Sequence, residues 1–185
     1  SSSGNCGCFD VLEQLGAVIE LTPEQEQQVF AELGIVFLFA KVHHPAMRHV
    51  AAARKAYGKR TIFNLLGPLC SPANVRRQLI GTGTKENVAL LAGALTELGC
   101  DQGLVVVGED GLDELTICGT TEGVHVPSGE EEVFDPTVVG IPIVPPMEIE
   151  GGTPEENLAI HKELAAGRGS DAHRNLVLWN AAQAL

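Results

Sequence analysis

Four stretches of the chain combine helix-capping residues with apolar positions three and four residues apart. TPEQ at residues 22–25 and TPEE at residues 153–156 each place a threonine N-cap before a proline and a capping-box partner. A glycine follows each pattern where a helix would stop. These signals predict helices over 22–34, 45–58, 84–99 and 153–167, the third with its stripe at Val88, Leu91, Leu95 and Leu98. The last ~35 residues are predicted to be helical by their caps and apolar stripe.

Short apolar runs separate these helices. Runs at 35–39, 78–80 and 104–107 are typical of strands covered on both faces. Because they alternate with helices, the central part is predicted to be α/β with a mixed, largely parallel sheet flanked by helices. Beyond Gly108 the runs at 115–118, 123–126 and 132–134 predict short strands of an antiparallel extension. The proline-rich stretch 135–152 is predicted to be a connection.

Composition and charge restrict the classes of function. The 185 residues suffice for one domain, residues 1–185, and 44% of them are hydrophobic, as a folded core requires. With 24 acidic and 12 basic residues the net charge is −12, which argues against nucleic acid and anionic membranes as partners. No apolar stretch approaches the ~20 residues of a membrane span. We expect a cytoplasmic protein without a signal peptide.

The five cysteines do not suggest a secreted disulfide framework, since their number is odd. Cys6 and Cys8 form a C-x-C pair that suits a soft metal, but no Cys/His cluster offers the two further ligands. His43, His44 and His49 likewise fit no zinc-binding spacing. We therefore interpret the C-x-C pair as two small residues of a glycine-rich loop.

Two segments have the composition of phosphate or metal sites. Residues 1–8 hold two glycines and three serines before a helix-like run, so they suit either a phosphate or a flexible connector. The acidic turn GEDGLDE at 108–114 follows a buried strand, at the sheet edge where α/β proteins bind ligands. Its carboxylates suit Mg²⁺, and an ordinary solvated turn is the alternative.

Arg54 is the candidate for binding a carboxylate or phosphate. On a helical wheel it shares a stripe with Met47, Val50 and Tyr57, whereas Arg48 and Lys55 fall on another, solvated face. A guanidinium on an apolar stripe is costly unless it is paired. The partner is either a ligand or a structural acid, and a third possibility is that the side chain reaches out to solvent. The following NLLGP at 64–68 is either a pocket wall or a simple helix break.

In sequence order these segments resemble one family. HHPAMRHVAAARKAYGKRTIFNLLGPLCSPA, GEDGLDELT, GGTPEEN and LVLWNAAQAL are similar to the C-terminal half to two-thirds of anthranilate phosphoribosyltransferases. The resemblance implies a nucleoside phosphorylase/phosphoribosyltransferase-like fold, in which a helical domain is joined to an α/β domain with a mixed sheet. It also implies that residues 45–66 pack with the helical domain, and that the intact protein is a homodimer.

The resemblance further implies the reaction and its residues. In that family the anthranilate amine displaces pyrophosphate from phosphoribosyl pyrophosphate in tryptophan biosynthesis, with Mg²⁺ as cofactor and no covalent nucleophile. Asp113 and Glu114 match metal-binding positions. The positions matching the anthranilate pocket are Arg54, His44, Met47, Gly67 and Pro68, and those matching the phosphoribosyl pyrophosphate site are Ser2, Ser3, Gly7 and Cys8.

The chain departs from the family pattern at its beginning. Cys8 and Phe9 stand where the family usually has serine and alanine, and the family's GTGGD and KHGN motifs are expected upstream of Ser1. We therefore expect the sequence to be part of a longer protein and to be inactive alone. The alternatives are a pyrimidine nucleoside phosphorylase, or a non-catalytic relative of the same fold that binds another ligand or macromolecule.

Overall fold

The computed structural model describes residues 7–59 and 61–185. Their chain contacts divide them into two compact units. The N-terminal unit comprises the described residues up to Gly67 together with Gly152–Ala159, and the sheet unit comprises Pro68–Gly151 and Ile160–Leu185. The single-domain organisation and the packing of residues 45–66 with a helical domain stay predictions.

The N-terminal unit is built from short helices. Their bounds are α1, Cys8–Gln14; α2, Pro23–Leu33; α3, Ala40–His43; α4, Arg48–Tyr57; and α5, Phe63–Leu66. A 3₁₀ turn, Pro45–Met47, precedes α4, and helix α7, Pro154–Ala165, begins in this unit. Thr22 and Gln25 cap α2 reciprocally, and Gly34 ends it in the left-handed conformation. The predicted helices at 22–34 and 45–58 are confirmed, the second with its 3₁₀ start.

The sheet unit contains four strands and the remaining long helices. The strands are β1, Arg77–Gly81; β2, Gln102–Gly108; β3, Thr121–Val126; and β4, Glu131–Phe134. Helix α6, Lys85–Glu97, connects β1 to β2, and α8, Asp171–Ala184, ends the chain. The 3₁₀ turns are Gly67–Cys70, Pro136–Val139 and Pro146–Glu148, the first of which starts at the last residue of the N-terminal unit.

The sheet has the order β1-β2-β3-β4. Strands β1 and β2 are parallel, with Leu79 opposite Leu104. Strands β2 and β3 are antiparallel, with Leu104 opposite His125, and β3 and β4 are antiparallel as well. The mixed α/β class is therefore confirmed, although within the described residues only the pairing of β1 with β2 is parallel. The predicted antiparallel extension accounts for the other two pairings.

Strand β2 is buried on both faces. Val105 and Val106 point to opposite faces and are both 0% exposed. One face carries a cluster in which Leu104 and Val106 pack with Trp179 of α8. Helix α6 contacts β2 and β3 and buries Val88, Leu91, Ala92 and Leu95. This double cover explains why the sequence of β2 is a continuous apolar run.

Two predicted strands are absent from the described structure. Residues 35–39 pair with none of the described strands, and Ile35 and Phe37 are exposed. Residues 115–118 are irregular although Leu115, Thr116 and Ile117 are fully buried. Leu98, predicted to lie on the apolar stripe of α6, is exposed instead, since it falls at the C-cap beyond the last helical turn.

No helix within the described part of the chain has both the length and the hydropathy needed to cross a membrane.

Helix α6 offers a matched test of this core. Leu95 is 1% exposed and Leu90 is 60% exposed on the same helix. We expect Leu95→Ala to lower the free energy of unfolding by about 2–5 kcal/mol, because it removes buried methyl groups and leaves a cavity. Leu90→Ala should change it by less than about 0.5 kcal/mol. Urea denaturation of both variants measures the difference, and equal losses would contradict this assignment of the core.

Candidate functional site

The acidic turn 108–114 is a tight structure at the end of β2. The Gly108 amide donates to the Leu112 carbonyl at 2.9 Å, and the Gly111 amide donates to the Gly108 carbonyl at 2.9 Å. Gly111 has φ +83°, a conformation that favours glycine. The turn therefore leaves the carboxyl end of β2 in a defined conformation, at the sheet edge predicted from the sequence.

The first two acidic residues of the turn, Glu109 and Asp110, accept hydrogen bonds that stabilise the turn. Asp110 accepts hydrogen bonds from the Thr116 hydroxyl at 2.8 Å and from the Leu112 amide at 3.1 Å. Glu109 accepts from the amide and the hydroxyl of Thr120 at 3.1 and 3.0 Å. These two carboxylates are structural.

Asp113 and Glu114 have a different environment. Within the described residues neither side chain makes a hydrogen bond or an ion pair, and both are exposed. They line a pocket of about 550 Å³ together with Arg77, Gly81 and Asn180. Partial desolvation of the Glu114 carboxyl, and secondly the negative charge of Asp113, raise the pKa of Glu114. Two adjacent carboxylates that repel each other beside a pocket are suited to a cation.

Side-chain hydrogen bonds hold the backbone that follows Glu114. Asn180 of α8 accepts from the Leu115 amide at 2.9 Å and donates to the Leu115 carbonyl at 2.9 Å. The Thr116 amide donates to the Thr121 hydroxyl at 3.0 Å. The Val144 amide also donates to the Ile117 carbonyl at 3.1 Å. Because this segment is buried and outside the sheet, these groups supply the hydrogen bonds that a strand partner would otherwise provide.

The backbone of Asp113 also lies directly against β1. A Cβ at Gly81 would be 1.7 Å from the Asp113 carbonyl oxygen. No side chain fits there without displacing the turn. Glycine at position 81 therefore allows the close approach of β1 to the pair of free carboxylates.

Arg54 on α4 lies on a half-buried stripe of its own helix. Met47, Val50 and Arg54 are half-buried, whereas Arg48 and Lys55 are exposed as predicted. Tyr57 was predicted to share the stripe, but it is 61% exposed because it is the last residue of α4. The guanidinium carbon of Arg54 lies 5.5 Å from the centre of the Phe63 ring, a cation–π contact. Among residues 7–59 and 61–185, no carboxylate pairs with Arg54.

The other residues predicted for the anthranilate side lie before and after α4. His44 is half-buried and precedes the 3₁₀ turn that contains Met47. Gly67 and Pro68 open the 3₁₀ turn that follows α5. His44, Met47, Arg54 and Gly67 belong to the N-terminal unit, whereas Pro68, Asp113 and Glu114 belong to the sheet unit.

The opening loop is described from Gly7 onward, so Ser2, Ser3 and Cys6 lie outside the described residues. The Gly7 amide donates to the Asp10 carboxylate at 2.7 Å. Cys8 is exposed at the first position of α1. Phe9 packs on Phe39, with ring centroids 4.8 Å apart. The large side chain at position 9 therefore has a contact within its own unit.

Sequence reasoning did not find Asn180, Phe63 or Arg77. Asn180 lies 65 residues from Leu115 in sequence, and an asparagine inside a helical pattern gives no local signal of such a contact. Phe63 and Arg77 adjoin segments that the sequence did single out, NLLGP and the strand at 78–80. Phe63 contacts Arg54 of α4, and Arg77 lines the same pocket as Asp113 and Glu114. Both placements depend on tertiary structure, which the local sequence does not specify.

The whole chain, residues 1–185, matches the model of the glycosyl transferase family, a/b domain, and it belongs to that family. It is similar to two curated anthranilate phosphoribosyltransferases: it is 44% identical to that of Desulfitobacterium hafniense (strain Y51) and 46% identical to that of Methanosphaerula palustris. Each alignment covers 100% of this chain and 55% of the relative. The chain thus spans about half the length of the curated relatives it matches.

Solved structures agree with this assignment. The anthranilate phosphoribosyltransferase of Thermus thermophilus superposes with a TM-score of 0.88 at 42% identity, covering 96% of this chain and 53% of that one. The Saccharomyces cerevisiae enzyme in complex with PRPP and Mg gives a TM-score of 0.91 at 27% identity, over 99% of this chain and 52% of that one. The resemblance stated from the sequence motifs is confirmed.

The Asn180 contact can be tested on one helix. We expect Asn180→Ala to lower the free energy of unfolding by about 1–3 kcal/mol, since both polar backbone groups of Leu115 lose their partner in a buried place. Amide hydrogen exchange at Leu115 should accelerate. Asn175→Ala is the control: it makes the same change on α8 at a side chain with no hydrogen bond among the described residues. Equal effects of the two variants would show that Asn180 does not hold the turn.

Proposed function

We propose that the protein transfers the phosphoribosyl group of phosphoribosyl pyrophosphate to the amine of anthranilate and releases pyrophosphate. The relatives support this proposal, since they are named anthranilate phosphoribosyltransferases. One solved structure of the yeast enzyme is in complex with 4-fluoroanthranilate, and it superposes at a TM-score of 0.86 and 27% identity. The observation that carries the proposal is Arg54, a half-buried cation that no carboxylate neutralises among the described residues.

Arg54 binds the anthranilate carboxylate in this proposal. Its guanidinium offers paired N–H donors that match the two carboxylate oxygens. The Phe63 ring contacts the same guanidinium and restricts its position, so less conformational entropy is lost when the ligand binds. The family resemblance assigns His44, Met47, Gly67 and Pro68 to the same substrate as further contacts. The proposed reaction requires positioning of the amine, and no covalent nucleophile.

Asp113 and Glu114 hold Mg²⁺ in this proposal. Their fit to the ion rests on two exposed carboxylates without internal hydrogen bonds, one with a raised pKa that a nearby cation would lower. Mg²⁺ is commonly held by one or two carboxylates with water and substrate phosphates completing its coordination. When bound, the ion supplies neutralisation of the negative charge on the departing diphosphate. The two side chains would hold the positive charge of the ion at the carboxyl end of β2.

The proposed contacts to phosphoribosyl pyrophosphate lie in the opening loop, at Ser2, Ser3, Gly7 and Cys8. The Gly7 amide already donates to Asp10. A phosphate at this loop would therefore use the Cys8 amide, or would replace the Asp10 carboxylate at Gly7. This part of the proposal depends on the loop composition and on the family resemblance.

The proposed anthranilate contact predicts a selective defect. In the full-length protein we expect Arg54→Ala to raise the KM for anthranilate roughly ten- to a hundredfold, because a charge-assisted hydrogen-bonded pair is worth about 1.5–3 kcal/mol. The KM for phosphoribosyl pyrophosphate should change little. Steady-state kinetics with each substrate varied in turn measure both constants.

Arg48→Ala is the matched control, since it removes an exposed arginine from the same helix. It should leave both constants near those of the unmodified protein. If Arg54→Ala weakens both substrates equally, Arg54 does not bind the anthranilate carboxylate.

The proposed metal site predicts a shift in the Mg²⁺ requirement. Asp113→Asn combined with Glu114→Gln should move half-maximal activity to higher Mg²⁺ concentration and leave the fold intact, because neither carboxylate forms a hydrogen bond or an ion pair within the described residues. Glu130→Gln combined with Glu131→Gln makes the same charge change at two exposed residues, one preceding β4 and one at its first position. Identical Mg²⁺ profiles for the two double variants would mean that residues 113 and 114 form only a solvated turn.

A further inference from the structure

The N-terminal unit contains one buried carboxylate that the proposed reaction does not use. Glu26 of α2 is 5% exposed, and it is the only charged residue in the buried class within residues 7–59 and 61–185. Its Oε1 lies 2.8 Å from Nε2 of His43, whose side chain is 10% exposed. Burial of a carboxylate is costly unless it is hydrogen-bonded, so this contact fixes the relative position of the two side chains.

His43 is the last residue of α3, which is a single helical turn. A single helical turn is not stable in isolation, because the free-energy cost of helix nucleation exceeds the stabilisation from its few hydrogen bonds. The position of α3 therefore depends on side-chain contacts at its two ends. Phe39, its N-cap, packs on Phe9 of α1, and His43 is bonded to Glu26 of α2.

The segment that follows α3 contains two residues proposed for the anthranilate side. The His44 amide donates to the Ala40 carbonyl at 2.9 Å, and the Met47 amide donates to the His44 carbonyl at 3.0 Å. Through these bonds the backbone of 44–47 continues directly from α3. A shift of the C-terminal end of α3 would therefore move His44 and Met47 together.

We infer that Glu26 is a positioning residue for anthranilate: by holding His43, it sets the place of His44 and Met47. The inference rests on the proposed function for its substrate, and on the buried contact for its geometry. What matters is a hydrogen-bond acceptor at the position of Glu26 Oε1. Glutamine, which has the same length and a carbonyl oxygen, should therefore substitute for it.

The test compares three variants of the full-length protein. Glu26→Ala should raise the KM for anthranilate by about tenfold and leave the KM for phosphoribosyl pyrophosphate within about twofold, as expected of a residue that affects the binding of one substrate. Glu26→Gln should restore the anthranilate KM to within about threefold of the unmodified value. Glu32→Ala, at an exposed glutamate of the same helix, is the matched control and should change neither constant.

A second measurement does not depend on turnover. Amide hydrogen exchange at His44 and Met47 should be faster in Glu26→Ala than in Glu32→Ala, and should return towards the unmodified rate in Glu26→Gln. If the unmodified protein shows no transfer to anthranilate but this exchange pattern appears, the proposed function fails and the anchoring by Glu26 stands. If Glu26→Ala does not fold, Glu26→Asp, which shortens the side chain by one methylene, is measured in its place.

Three results would overturn the inference. One is a parallel rise of both KM values in Glu26→Ala, which would indicate general loss of structure. Another is a Glu26→Gln variant as impaired as Glu26→Ala, which would make the charge rather than the position decisive. The third is unchanged exchange at His44 and Met47 in Glu26→Ala, or in the shortened variant where that one replaces it.

Discussion

A buried backbone must form hydrogen bonds, and in the sheet unit this requirement determines where the free carboxylates lie. Leu115, Thr116 and Ile117 are fully buried but belong to no strand. Asn180 and the Thr121 hydroxyl supply bonds to this segment. Because Glu114 directly precedes Leu115, helix α8 and strand β3 together hold the end of the acidic turn. The opposite end is held by strand β2, which is buried on both faces.

The N-terminal unit positions its side chains by other means. Its helices are short, and three side-chain contacts join its segments. They are the ring contact of Phe9 with Phe39, the hydrogen bond of Glu26 with His43, and the cation–π contact of Arg54 with Phe63. Most of its described residues are exposed or half-buried. Within the described residues of this unit, these polar and aromatic contacts fix the side chains that they join.

Structural features that depend on neighbouring residues could be predicted from the sequence, whereas those that depend on residues far apart in sequence could not. The threonine caps of α2 and α7 act within four residues, so TPEQ and TPEE placed these helices correctly. Residues 35–39 have the composition of a strand, but a strand also needs a neighbour, which no local pattern reveals. The apolar run 115–118 likewise predicts a strand, but its backbone is hydrogen-bonded by the side chains of Asn180 and Thr121 and by the Val144 amide, rather than by a strand partner. Arg54 was found because its helical spacing is local, whereas its aromatic partner was not.

The four acids of the turn show how one sequence feature divides into two roles. Asp110 and Glu109 accept hydrogen bonds from residues of the turn and the segment after it, so both carboxylates stabilise the turn. Glu114 is partly desolvated and repelled by Asp113, so its pKa is raised and its ionised form is disfavoured. A raised carboxyl pKa means that ionisation costs stability as the pH rises above the ordinary value for glutamate, since the unfolded chain gives up that proton more readily. A dication bound beside the two carboxylates would favour their ionised forms and so lower the pKa of Glu114. The turn therefore keeps two adjacent carboxylates whose mutual repulsion a cation would relieve, and its hydrogen bonds fix the backbone from which both side chains extend.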